Sequence, residues 1–178
     1  LYPMSTTSDT LESVQLAARG FWVDVEHPEL GTTITYPGAF VQASQSSPRI
    51  SCRAPRIGEH NQEVYRELDR SSDELVALKQ AKVIQKLQQK ETRKRLPKRL
   101  LKGVKVADFT QLFAGPLATR YLADYGAEVI KIEGRVRHDR ERLGRPFKDD
   151  IPGVNRGGTF NQYNTGKLDV TLNLAHPK

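Results

Sequence analysis

LKGVKVADFTQLFAGPLATRYLADYGAEVIKIE, residues 101–133, decides the fold. Val104, Val106 and Phe109 form a short apolar run of strand type, and Ala114-Gly115-Pro116 breaks it. Proline suits a first helical position because it has no N–H to leave unpaired there. Leu117, Tyr121, Leu122 and Tyr125 then recur at helical spacing. Gly126 stands where a helix ends on a residue of positive φ, and Val129, Ile130 and Ile132 supply a second strand. Two strands joined by a helix run parallel with a right-handed crossover. The stretch therefore specifies the opening unit of an open α/β sheet. Ligands of such sheets collect beyond the carboxyl ends of the strands, which here is the turn 110–116. An opening unit in the middle of a chain calls for an explanation.

On the C-terminal side, residues 134–158 are rich in Arg, Gly and Pro and read as a long loop. Phe160–Tyr163 leads to the tight turn Asn164-Thr165-Gly166-Lys167, after which Val170, Leu172 and Leu174 alternate along a strand that turns Asp169 to solvent. On the N-terminal side, residues 1–10 are polar and frayed, 11–18 form a short helical piece, and 21–36 resemble a hairpin turning at His27-Pro28-Glu29-Leu30-Gly31. Val64, Tyr65 and Leu68 mark a helix opened by His60. Ser71 and Glu74 make a capping box for another, which buries Leu75, Leu78, Val83 and Leu87 and continues until Pro97 stops it.

The net charge of +7 is local in origin. Residues 79–105 hold eleven Lys or Arg against the single acid Glu91, a window of +10, which leaves −3 for the remainder. The window reads as a solvated linker or helix face. A basic partner-binding patch is the competing reading, but no aromatic side chain is interleaved for base stacking. The single cysteine, Cys52, excludes an internal disulfide and fits a cytoplasmic setting. No apolar run approaches the length of a membrane span, so neither a membrane nor a nucleic-acid partner is expected. Both ends read as interior to a longer chain. His27 and His60 lack metal-ligand spacing and read as structural or exposed, so no metal is expected.

Three pieces together resemble the class III CoA-transferases, the family of formyl-CoA transferase and carnitine CoA-transferase with acyl-CoA racemase relatives. GVKVADFTQLFAGPLATRYLADYGAEVIKIE is similar to that family's N-terminal signature. FNQYNTGKLDVTLNLAHPK, residues 160–178, resembles the segment that follows it. RGFWVDVEHPELG (19–31), APRIGEHN (54–61) and the helix to Ile84 look like the family's C-terminal end. The tail thus precedes the head. The expected organisation is a junction of two tandem copies: residues 1–84 end a first copy, 85–100 form a basic linker, and 101–178 begin a second. A circular permutation is the competing account. The fold implied is a partial open parallel, Rossmann-like α/β sheet with a small hairpin-and-helix segment.

The resemblance implies CoA transfer from an acyl-CoA thioester to a small carboxylic acid through an aspartyl-CoA intermediate, with coenzyme A taking part as substrate and no metal. It places the nucleophilic Asp downstream of Lys178, so neither Asp169 nor Asp108 is expected to be the nucleophile. Asp108 reads as an acceptor for nearby turn groups. CoA contacts are implied at Phe113, Ala114, Leu172, Asn173, Leu174 and Ala175, and at Arg135, since Gly134 stands at the family's arginine position. An interlocked homodimer, or pairing of the tandem copies within one chain, is also implied. The racemase branch stays open because its distinguishing residues lie elsewhere. A dinucleotide-binding protein, with Glu133 on a ribose, stays open against the lack of G-x-G-x-x-G.

Overall fold

The computed structural model describes residues 5–44, 48–68, 71–81, 99–134 and 137–175. Two short helices, α1 (Thr7–Leu11) and α2 (Val14–Ala18), replace the expected frayed start and single helical piece. Capping causes the division. Thr6 and Asp9 satisfy each other's amides in a capping box, and Ser13 accepts from the Leu16 amide to begin the second helix.

The hairpin is present as β1 (Trp22–His27) and β2 (Thr32–Pro37), antiparallel, with Val25 opposite Ile34. A 3-10 turn, Pro28–Leu30, joins the strands, and Gly31 ends it at φ +63°. His27 is fully buried, with Nδ1 2.9 Å from Glu29 and Nε2 3.0 Å from the Tyr36 hydroxyl, so its role is structural. Next come α3 (Asn61–Glu67), with His60 at its N-cap, and α4 (Ser72–Gln80). The Ser71–Glu74 capping box forms as the spacing predicts, and Leu75 is buried. The expected continuation through Val83 and Leu87 to Pro97 lies outside the described residues.

The opening unit follows as β3 (Lys105–Asp108), α5 (Ala114–Asp124) and β4 (Glu128–Glu133). Val104 and Phe109 fall outside β3 and are exposed. Pro116 is the third residue of α5, not the first. Amides there still lack an intrahelical acceptor, so no bond is lost. Gly126 ends the helix at φ +102°. The loop 134–158 contains two 3-10 turns, Arg140–Leu143 and Lys148–Asp150. Then come α6 (Gly158–Tyr163), a helix where only a lead-in to the turn is expected, and β5 (Leu168–Thr171).

The sheet is parallel in the order β3–β4–β5, with Val106 beside Val129 and Ile130 beside Leu168. The fold is therefore mixed α/β: a three-stranded parallel sheet plus a small antiparallel hairpin. Ala123, Ala127 and Val129 form one core cluster with Leu101 and Val106. Val64, Leu168 and Val170 form another with Tyr65, Ile130 and Ile132. Two expectations about β5 fail. The strand stops at Thr171, leaving Leu172 and Leu174 beyond it. Asp169 is fully buried, not solvent-facing, because charged and amide partners surround it.

The outer edge of β5 is closed by the N-terminal segment. The His60 amide donates to Asp169 O at 2.9 Å, and the Asp169 amide donates to His60 Nδ1 at 3.0 Å. The Thr171 amide donates to Asn61 Oδ1 at 2.8 Å, Asn61 Nδ2 donates to Thr171 Oγ1 at 2.9 Å, and the Tyr65 hydroxyl donates to Thr171 O at 3.0 Å. A helix start thus takes the place of another strand and covers an otherwise exposed ladder. Gly58 makes the approach possible: at φ +64° it turns the chain, and a Cβ there would lie 2.9 Å from Asn61 Nδ2. Its amide donates to Asp169 Oδ1 at 2.5 Å.

Asn61→Ala leaves the buried Thr171 amide without its acceptor, and urea denaturation is expected to show a loss of about 1–3 kcal/mol. The segment leading to Gly58 is held by Glu59, which accepts from Arg53 and from the Arg56 amide. Burial opposes the charge on Glu59, but these partners outweigh it and hold the carboxyl at about 2 against an ordinary 4.5. Its stabilisation is complete above pH 4.5 and is lost as pH falls towards 2. Glu59→Gln is expected to flatten that part of the stability–pH profile, read as thermal midpoints across the range.

Candidate functional site

The turn at the carboxyl end of β3 is short, exposed and held from beneath. Asp108 ends the strand, buried, and accepts from the Thr110 amide at 2.9 Å, Thr119 Oγ1 at 2.8 Å and Lys167 Nζ at 2.9 Å. Burial alone would raise its pKa. The Lys167 charge and the Thr110 hydrogen bonds prevail and hold it below the ordinary value. Asp108 therefore serves the turn as an ionised acceptor, as the sequence implies. Burial likewise draws Lys167 down to about 8, against the opposing pull of Asp108. Lys167 also donates to Pro116 O, Thr119 Oγ1 and Asn164 Oδ1, so it reaches the first turn of α5 from the start of β5.

A second buried pair grips the middle of the turn. Lys131 Nζ, from β4, donates to Thr110 O and to Asp139 Oδ2, both at 2.9 Å. Asp139 Oδ1 accepts the Leu112 amide at 3.2 Å. Leu112 stands at φ +69°, a region leucine rarely occupies. Gly115 has no room for a side chain, since a Cβ would lie 2.4 Å from Thr110 Cβ. Phe113 and Ala114 remain exposed, with Phe113 edge-on to Tyr163 at 5.6 Å. The amides of Phe113, Ala114 and Gly115 lie at the head of α5, where N–H groups have no partner in the α-helical ladder. The turn thus presents N–H groups at the positive end of an eleven-residue helix, an arrangement suited to an anion such as a phosphate.

The other implied contact segment, Leu172, Asn173, Leu174 and Ala175, leaves the same end of the sheet, two strands away. Adjacent strands are spaced by about 4.8 Å, which puts the two segments about 10 Å apart in the sheet. Leu172 faces a different environment: it lines an apolar groove of about 500 Å³ with Tyr65, Leu68, Ala77, Leu78 and Ala81. Leu174 is exposed, and Asn173 folds back to accept the Ala175 amide at 3.1 Å. Arg135 lies outside the described residues.

Beyond the end of β4, Glu133 is buried and committed. It accepts Arg142 Nη2 at 2.5 Å and the Asp139 amide at 2.6 Å, which leaves it unable to serve a ribose. Arg142 also donates to Asp169 Oδ2 at 3.2 Å and to Pro55 O at 3.1 Å, with its guanidinium 3.7 Å from the Phe160 ring centre. Burial and the neighbouring Glu133 carboxyl push Asp169 well above the carboxylate range. Burial works against Glu133 too, but the Asp169 hydrogen bond and Arg142 hold it at about 2. Lys131 and Glu133 carried a legible signal, as charges at alternate positions of the strand run V-I-K-I-E. Asp139 and Arg142 lie in loop sequence and carried none.

Arg142→Ala strands two buried carboxyl groups. The expected loss is about 3–5 kcal/mol, measured by denaturant unfolding.

Comparison with known proteins places these features in a family. A family model, CoA-transferase family III, matches residues 1–61 and 101–178. Succinyl-CoA:mesaconate CoA-transferase of Haloarcula marismortui is 43% identical over 75 residues, 42% of this chain and 19% of that protein. Succinyl-CoA:glutarate CoA-transferase of Mus musculus is 39% identical over 79 residues, 44% of this chain and 17% of that protein. The crystal structure of the hypothetical protein Rv3272 from Mycobacterium tuberculosis is 40% identical, with a TM-score of 0.37, over 46% of this chain and 20% of that one. The chain spans about a fifth of the length of these relatives. With the matched segments covering well over half of its residues, the chain belongs to CoA-transferase family III.

Proposed function

We propose that this chain is the CoA-binding portion of an enzyme that moves CoA from an acyl-CoA thioester to a small carboxylic acid. The single observation that carries this reading is the turn 110–115, whose exposed amides at the head of α5 are fixed from below by Asp108, Lys131, Asp139 and Lys167. A phosphate of CoA takes its hydrogen bonds from the amides of Phe113, Ala114 and Gly115. Because the donors are held before binding, little ordering cost falls on the ligand. The segment 172–175 lines the path of the rest of the molecule at the same sheet end.

The chemical step belongs to an Asp nucleophile beyond Lys178: its carboxylate attacks the thioester to give a mixed anhydride and CoA thiolate, and the thiolate then attacks the aspartyl carbonyl, giving aspartyl-CoA and releasing the donor's carboxylate. The sheet is read as Rossmann-like, with β3, β4 and β5 forming one wing of a doubly wound order. The free side of β3 is then the point where strand order reverses, the usual place for a ligand. The chain is read as a junction of tandem copies, with residues 1–84 closing one copy, 85–100 linking and 101–178 opening the next. The partner in assembly is another copy, in the same chain or in an interlocked dimer.

Calorimetric titration with CoA tests the reading, with NAD as the competing ligand. Saturable CoA binding that weakens with salt, and weaker or no NAD binding, is expected. Tighter binding of NAD contradicts it. Gly115→Ala forces the turn away from Thr110, and its CoA affinity is expected to fall about tenfold or more, equivalent to ~1.4 kcal/mol.

A further inference from the structure

We propose that Asp139 is a positioning residue for CoA: it holds Leu112 in its left-handed conformation and so aims the amides of residues 113–115 at the ligand. This rests on the reading of that turn as the CoA-phosphate contact. Asp139 lies in the loop after β4, twenty-seven residues from Leu112 in sequence, and its side chain is fully buried. It therefore has no direct access to ligand and acts through what it holds.

Both carboxylate oxygens are committed. Oδ1 accepts the Leu112 amide at 3.2 Å and the Glu141 amide at 3.1 Å; Oδ2 accepts Lys131 Nζ at 2.9 Å. Lys131 in turn donates to Thr110 O at 2.9 Å. The pair thus grips the turn at two points on either side of Gln111, one through an N–H and one through a C=O. Leu112, between that grip and the exposed amides, sits at φ +69°. A left-handed leucine reverts to the ordinary region unless its surroundings hold it, and reversion would redirect every N–H that follows. The Asp139 amide is itself tied to Glu133 Oε1 at 2.6 Å, so the carboxylate is held from the sheet. A residue needed only to start the 3-10 turn Arg140–Leu143 would use the bond to Glu141 alone.

The test uses the full chain with Asp139→Ala, Asp139→Asn, Leu112→Gly and the double variant Asp139→Ala/Leu112→Gly. Amide hydrogen exchange and amide NMR shifts of residues 110–117 are read beside CoA titration. Asp139→Ala is expected to expose the Leu112 amide to exchange, shift the amides of 113–115, and weaken CoA about tenfold, the size of one charge-assisted hydrogen bond. Asp139→Asn, which keeps an acceptor for the Leu112 amide, is expected to lose less. It also serves as the readout should Asp139→Ala fail to fold. Leu112→Gly in the double variant is expected to restore part of the affinity, because glycine enters the left-handed region without a holding group. A purely structural role for Asp139 would not produce that rescue. Unchanged 112–115 amides in Asp139→Ala, a loss in Asp139→Asn as large as in Asp139→Ala, or no recovery in the double variant overturns the proposal. Absence of CoA binding by the unsubstituted chain would instead defeat the functional reading, while the exchange data still decide whether Asp139 holds the turn.

Discussion

Arg142 has no exposed surface, and an arginine cannot shed its charge, so the protein around it must supply counter-charge. That requirement draws four parts of the chain together. Glu133 from β4 and Asp169 from β5 meet the guanidinium from the sheet. Asn155 meets it from the long loop, and Pro55 O from the N-terminal segment. Phe160 of α6 covers its face. Two carboxyl groups beside one guanidinium would leave excess negative charge in a dry site. Burial and the Glu133 carboxyl push Asp169 upward while Arg142 holds Glu133 low, so the two carboxyls do not share the charge equally. The group thereby joins the N-terminal segment at Pro55 to the sheet at Glu133 and Asp169.

A second pair of charges passes that rigidity to the surface. The Asp139 amide binds Glu133, so the Arg142 cluster fixes the residue whose carboxylate holds Lys131 and the Leu112 amide. Asp108 and Lys167 do the same from the other flank, joining the ends of β3 and α5 to the start of β5. The exposed turn is thus shaped by buried charges on two strands, the loop after β4 and the turn before β5. Such arrangements are costly in desolvation and gain most where a fixed geometry matters. The left-handed Leu112 and the side-chain-free Gly115 are local strains that this frame sustains.

The opening βαβ unit was legible because local rules agreed there: apolar runs of strand type, helical spacing over 117–125 and a glycine at the helix end. The 71–74 capping box and the hairpin were legible for the same reason. Legibility failed where buried polar groups decide the structure. Asp169 looked like the outward residue of an alternating strand, yet it is buried because Arg142 and the Gly58 amide meet it from distant sequence. Asp139 and Arg142 looked like loop residues, since nothing local marks an acid or a base as destined for the interior. The edge closure by His60 and Asn61 was hidden likewise, as it pairs positions about 110 residues apart. In the candidate site, the turn at Phe113 and Ala114 was readable from the break and the helix behind it. Of the charges beneath it, Asp108 was readable as an acceptor for turn groups, while Lys131, Asp139 and Lys167 were not readable as partners of the turn.

The claim that most needs testing is that a ligand phosphate meets the amides at the head of α5. A crystal structure of the full chain with CoA bound tests it directly. The account predicts a CoA phosphate oxygen at hydrogen-bond distance, about 2.7–3.2 Å, from the amide nitrogens of Ala114 or Gly115, with Leu112 still left-handed. CoA seated elsewhere, with its phosphates in solvent or the apolar groove beside Leu172 taking the ligand instead, would contradict it.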